Sequence, residues 1–274
     1  MASFEVLCAT MRQTDFSKIK SMNIRTDVVF ANQADRLAYE EYEFDGNLAR
    51  MITTNLRGVG KNRNISLMFA KAEICLLADD DMVYVDDYEQ IVLKAFEELP
   101  TADIIIFNIV PVSHINKRKP AEITSVKRIR KWNRNPFGGP RIAFRTNSIK
   151  KANLWFTILF GGGCTYPSGE DSMWLSDARR SNLKIYAYPE CIGSTDYSDS
   201  SWFEGYGQKY FFGKGAYYKV YHSRFMLLWA LYFALRTTKK AEIGLLKRIA
   251  CLIDGMKAVE LNMSYEEWRA AKYE

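Results

Sequence analysis

Over the first 110 residues, short runs of buried-type side chains alternate with stretches in which apolar residues recur at helical spacing. Strands are expected at Glu5–Thr10, Asp27–Ala31, Met51–Thr54, Glu73–Ala78 and Asp103–Val110, and helices near Asp15–Met22, Asn62–Lys71 and Asp87–Leu99. Strands that are apolar throughout need cover on both faces, so this alternation specifies a mostly parallel sheet flanked by helices. After Pro111 the pattern gives way to a basic, turn-rich stretch ending at Asn135-Pro136-Phe137-Gly138-Gly139-Pro140, which is expected to be a long loop. A strand at Arg141–Arg145 follows, then the apolar stretch Trp155–Phe160, the glycines Gly161-Gly162-Gly163 and the turn Tyr166-Pro167-Ser168-Gly169. Glu170 and Asp171 open a helix through Arg180, where acidic residues suit the positive end of the helix dipole, and Leu183–Tyr188 is expected to be a strand. From Trp202 the chain is aromatic, basic and helical in pattern. The division expected is an α/β domain over residues 1–200 and a helical C-terminal extension over 201–274.

Composition narrows the class. With 274 residues and 48% hydrophobic content, the chain can bury a full core without disulfide staples. Cys8, Cys75, Cys164, Cys191 and Cys251 are odd in number and scattered, which suggests neither a disulfide framework nor a zinc site and fits a reducing cytoplasm. The start, Met1-Ala2-Ser3-Phe4-Glu5, lacks the basic-then-apolar pattern of a secretory signal, so no export is expected. The net charge of +6 is unevenly placed: eight basic residues between Lys117 and Arg134 face only Glu122, and nine from Phe203 to Ala250 face only Glu204 and Glu242. Such patches suit phosphorylated ligands or anionic lipid as well as ordinary solvated faces, and with no recognition motif beside them nucleic acid is not expected as a partner. Phe225–Leu235 is too short to span a bilayer, which takes ~20 residues. Core packing and contact with the inner face of the cell membrane both remain open for it.

The candidate chemistry lies where the strand Ile74–Ala78 runs into Asp79, Asp80 and Asp81. Ligands of open α/β sheets bind at the carboxyl ends of the strands. Three carboxylates there suit Mg²⁺ or Mn²⁺ held jointly with a substrate phosphate. One or two aspartates after a strand are explained by turn hydrogen bonding, but three like charges side by side cost energy unless a cation or proton offsets them.

Together with Gly58-Val59-Gly60-Lys61-Asn62-Arg63-Asn64 before that strand and Gly169-Glu170-Asp171 well beyond it, the chain resembles the family 2 nucleotide-sugar glycosyltransferases, inverting enzymes of the GT-A fold, over roughly Phe4 to Tyr188. The resemblance implies a GT-A type, Rossmann-like sheet and transfer of one hexosyl or N-acetylhexosaminyl group from a nucleotide sugar, with UDP the favoured nucleotide. It implies a saccharide or lipid-linked saccharide acceptor in surface polysaccharide synthesis, and Mn²⁺ or Mg²⁺ as cofactor. Carried over residue by residue, Asp81 is the metal ligand, and Asp80, with Asp79 as alternate, the ribose contact. Arg63 meets the diphosphate or base, Thr10 the base, and Asn32-Gln33 stands where relatives carry an acidic residue after the second strand. Asp171 is the general base and Glu170 orients it or contacts the acceptor. Gly162 and Gly163 admit the sugar, Trp202 stacks on a sugar ring, and His222 is a further metal ligand by analogy with some relatives. The glutamine- or arginine-x-x-Arg-Trp element of processive relatives is absent, which implies a non-processive enzyme.

Two other readings stay open. A module that binds nucleotide or glycan without turnover would keep the Asp cluster and leave Asp171 idle. A haloacid-dehalogenase-like phosphatase would use Asp79 as a nucleophile, but its motif normally follows the first strand of the domain, whereas several strand–helix units precede it here.

Overall fold

The computed structural model describes residues 2–112, 122–130, 138–196, 205–221 and 223–273. They divide into two compact units, residues 1–157 with 171–199 and residues 158–170 with 200–274.

The first unit contains a ten-stranded mixed sheet. Its strands are β1 (Phe4–Met11), β2 (Asp27–Gln33), β3 (Ala38–Phe44), β4 (Asn47–Thr54), β5 (Ile74–Asp79), β6 (Met82–Tyr84), β7 (Ile104–Pro111), β8 (Lys127–Ile129), β9 (Ile142–Arg145) and β10 (Ile185–Thr195). The order is β3-β4-β2-β1-β5-β9-β7-β10-β6, with β8 also on β10. Strands β4, β2, β1 and β5 pair in parallel, as do β7 and β10, while β9 lies antiparallel between β5 and β7. Six strands therefore point one way, and β3, β6, β8 and β9 oppose them.

Side-chain alternation builds a core on each face. From β1, Val6 and Cys8 join Val28, Phe30, Leu76 and Phe107 on one side, under α1 (Lys18–Ser21) and α3 (Tyr88–Glu98). Leu7 joins Val29, Leu77, Ile106 and Phe144 on the other, under α2 (Val59–Phe69), α4 (Thr146–Lys151) and α5 (Glu170–Arg180). Burial of both faces is why β1, β2 and β5 read as continuous apolar runs.

Among the strands, the structure adds to the expected elements in four places. β3 was not expected, because Glu40, Glu41 and Glu43 mask its alternation; it pairs with β4 through the two-residue turn Asp45-Gly46, whose φ angles of 46° and 80° suit a hairpin of the Asp-Gly type. The short β6 follows Asp81 directly. Residues 127–129 of the expected loop form β8 on the outer side of β10. The last strand runs seven residues beyond Tyr188, past Pro189, because register shifts between Ala187 and Cys191 and between Cys191 and Ser194 accommodate the missing N–H.

The second unit contains α6 (Gln208–Tyr221), α7 (Met226–Arg236), α8 (Leu245–Glu260) and α9 (Tyr265–Tyr273). Phe211, Tyr218, Ala230, Ala234, Leu252 and Met256 form its core. Helices α6 and α8 touch backbone to backbone: a side-chain carbon on Gly215 would overlap the Leu252 carbonyl, and one on Gly255 the Phe212 carbonyl. Among the described residues no helix is long and apolar enough to cross a membrane.

Candidate active site

The carboxyl ends of β1 and β5 are adjacent, with Ala9 in register with Asp79, and this pairing brings the first residues of the site together. The Thr10 hydroxyl donates to Asp80 Oδ2 at 2.5 Å, and Lys18 Nζ donates to the Asp80 carbonyl at 2.8 Å. Asn62, in the first turns of α2, donates from Nδ2 to the Thr10 carbonyl at 3.1 Å, fixing the end of β1 against that helix.

Arg63, one residue further along α2, is the centre of the constellation. Its side chain is only 3% exposed and bonds two of the five carboxylates singled out for chemistry, Asp79 and Asp171. Nη2 donates to Asp79 Oδ1 at 2.9 Å, and Nη1 pairs with Asp171 Oδ1. The guanidinium also lies 5.4 Å from the centroid of the Phe156 ring, within cation–π range. Asp171, in the first turn of α5, takes a second bond on Oδ2 from the Gly139 N–H at 2.7 Å. A side-chain carbon on Gly139 would overlap the Arg63 guanidinium, so any larger residue there would force that group to shift. The sheet and two helices thus bring Thr10, Arg63, Asp79, Asp80 and Asp171 into one chain of contacts, though 161 residues separate the first from the last.

Asp81 is in a different state. Burial first, and then the neighbouring charges of Asp79 and Asp80, push its carboxyl up to about 7. Its Oδ1 is buried with no hydrogen-bond partner. An ionised carboxylate so placed is under-compensated, which a divalent cation would correct. Among the described residues no three His, Cys, Asp or Glu side chains gather as a complete metal cage. One carboxylate plus oxygens from a diphosphate and water is nevertheless the ligand set Mg²⁺ commonly takes, so the donors present fit such an ion.

The remaining expected residues fall as follows. Asn32 is buried and its amide is engaged: Oδ1 accepts from the Gln13 N–H at 3.0 Å, and Nδ2 donates to the Gln13 carbonyl at 2.9 Å and to Thr53 Oγ1 at 3.1 Å. It shapes the segment after β1 with the same groups that would read a base. Glu170 accepts on Oε2 from the Gly169 N–H at 2.9 Å, and within the second unit Gly162 has open space where a side chain would stand, while Gly163 has φ 72°. Trp202 and His222 lie outside the described residues, as does His114. Among the contributors not expected from the sequence are Lys18 and Gly139. Lys18 carries no signal beyond its charge; Gly139 was signalled by the Gly-Gly-Pro run that closes the basic stretch, but reads there only as a turn.

No protein-family model matches the sequence, and no curated protein matches it. Solved structures do. A fragment of Staphylococcus aureus TarS spanning residues 1–349, in complex with UDP-GlcNAc, superposes with a TM-score of 0.57 over 99% of this chain and 76% of the other, at 12% identity. The same fragment in complex with UDP gives 0.56 over 97% and 76%, at 13% identity. The structure of S. aureus TarS with the longer chain gives 0.56 over 96% of this chain and 44% of that one, at 12% identity. At such identity the likeness concerns the fold: the mixed, mostly parallel sheet flanked by helices, with helices at the C-terminus, is the GT-A type that the motif resemblance implied.

Proposed function

We propose that the chain is an inverting, non-processive glycosyltransferase that moves one sugar from a nucleotide sugar, with UDP the favoured nucleotide, to a saccharide or lipid-linked saccharide acceptor in the cytoplasmic stages of surface polysaccharide synthesis. The observation that carries this reading is the Asp79–Arg63–Asp171 network at the carboxyl end of β5, where a sheet of this kind receives its ligand. The two TarS complexes, with UDP-GlcNAc and with UDP, favour the same class of donor.

In this reading Asp79, Asp80 and Thr10 face the nucleoside, with Asn32 shaping the adjoining segment, and Arg63 meets the diphosphate. Asp81 would hold Mn²⁺ or Mg²⁺, whose chemistry there would be to neutralise charge on the diphosphate leaving group. Asp171 takes the proton of the acceptor hydroxyl. The acceptor oxygen bonds to the anomeric carbon from the face opposite the leaving group, the bond from that carbon to the phosphate oxygen breaks, and the nucleoside diphosphate departs with the electron pair. Arg63 and the Gly139 N–H hold both oxygens of Asp171, which fixes the carboxylate's orientation before an acceptor arrives. Glu170, Gly162 and Gly163, with Trp202, are assigned to the sugar and acceptor side, and His222 to the metal.

The test is a panel of nucleotide sugars with Mn²⁺ and simple saccharide acceptors, read by release of nucleoside diphosphate and by the anomeric proton signal of the new linkage. Mn²⁺-dependent transfer with inverted configuration is expected. A retained configuration overturns the single displacement, and binding of nucleotide sugar with no transfer to any acceptor assigns the fold to recognition alone.

A further inference from the structure

Helix α7 is apolar on both of its faces. Ala230, Ala234 and Thr237 turn inward and are buried, and Trp229 and Phe233 pack beside them. The opposite face carries Leu227, Leu228, Leu231, Tyr232 and Leu235, and is exposed: Leu227 is 60% and Leu228 67% accessible. At 100° per residue these five positions fall within an arc of roughly 140°, a continuous stripe rather than scattered leucines. Stripes of this kind mark a surface that is covered in use.

The charges at its ends say what covers it. Arg224 precedes the stripe and Arg236, Lys239 and Lys240 follow it, all exposed. No Asp or Glu occurs from Gly205 to Ala241, a run holding seven Lys and Arg residues. A second copy of the same face would set these cations against each other, whereas anionic head groups complement them while the leucines enter the acyl boundary and Tyr232 sits at head-group depth. The helix has eleven residues, enough to lie in the interface and too few to cross it.

We infer that α7 is a membrane-surface docking helix, with its Leu227–Leu235 stripe inserted into the interface and its basic ends on anionic phospholipid. The inference does not rest on the transfer reaction, and either can fail without the other.

Flotation of the full chain with vesicles tests it, using phosphatidylcholine alone and phosphatidylcholine mixed with phosphatidylglycerol. Binding is expected only with the anionic lipid and is expected to weaken as salt rises. Leu228→Glu with Leu231→Glu should lower the partition coefficient by roughly a hundredfold, through the lost burial of two leucines. Lys239→Gln with Lys240→Gln should lower it by about tenfold or more. These side chains are exposed, and circular dichroism checks that each variant is folded. Failure of the folded parent to float with anionic vesicles at low salt overturns the inference. So does a parent dimer in sedimentation that Leu228→Glu with Leu231→Glu dissociates, since a second copy would then cover the stripe.

Discussion

Asp81 illustrates how a carboxyl buried beside like charges costs the protein stability. Its carboxyl sits at about 7 against 3.8 for an ordinary aspartate, so the folded state holds a proton that the unfolded chain releases. The sign follows. Below pH 3.8 both states are protonated and Asp81 costs nothing; the penalty grows as pH rises through that value and is complete above about 7. Asp81→Asn should therefore raise the melting temperature of the ligand-free protein at pH 8 and leave it nearly unchanged at pH 4, as read by calorimetric melts. Asp171 behaves differently, since both its oxygens are bonded. Asp171→Asn keeps an acceptor for the Gly139 N–H, so nucleotide affinity should stay within a few-fold while turnover falls by ~100-fold or more, the usual scale of a lost general base. Steady-state kinetics beside calorimetry separates the two effects. At this scale the sequence was informative where side chains carry charge: Asp79, Asp80, Arg63 and Asp171, all singled out from the sequence, are brought together by the fold. The Gly139 amide was not, because a backbone N–H has no residue-type signature.

Among the elements, the short segment just before β9 reaches directly into the site. Gly138 and Gly139 lie against Asp171 and Arg63, and the overlap expected at Gly139 leaves the nearly buried guanidinium little room to retreat. Gly139→Ala should lower nucleotide affinity by about tenfold and destabilise the protein by roughly 1–3 kcal/mol, the scale of overpacking. Titration calorimetry and urea melts check the two numbers. The apolar strands β1, β2, β5 and β7 were readable because each is buried on both faces. β3 was obscured by its exposed glutamates, although the Asp45-Gly46 turn that builds its hairpin was present in the sequence. The antiparallel insertion of β9 between β5 and β7 is a tertiary choice that local pattern does not encode. Helices α6 and α8 approach so closely that Gly255→Ala would drive a methyl into the Phe212 carbonyl. A loss of roughly 1–3 kcal/mol is expected, and hydrogen exchange should localise it to these two helices.

Over the whole molecule, the likeness to the TarS structures extends across nearly the full chain at 12% identity, so the fold is shared while few individual residues coincide. What the residues themselves supply is a set of carboxylates, one buried arginine and a hydroxyl gathered at the carboxyl ends of β1 and β5. In the proposed function this set receives a nucleoside diphosphate together with a divalent cation. Titration calorimetry of UDP with and without Mn²⁺, on the parent, Asp81→Asn and Arg63→Ala, tests it directly. Mn²⁺-dependent binding to the parent is expected, with loss of the metal dependence in Asp81→Asn and affinity lower by at least about tenfold in Arg63→Ala, the scale of one charge-assisted contact to phosphate. Equal UDP affinity in all three proteins, or no nucleoside diphosphate bound by the folded parent with or without Mn²⁺, would contradict it.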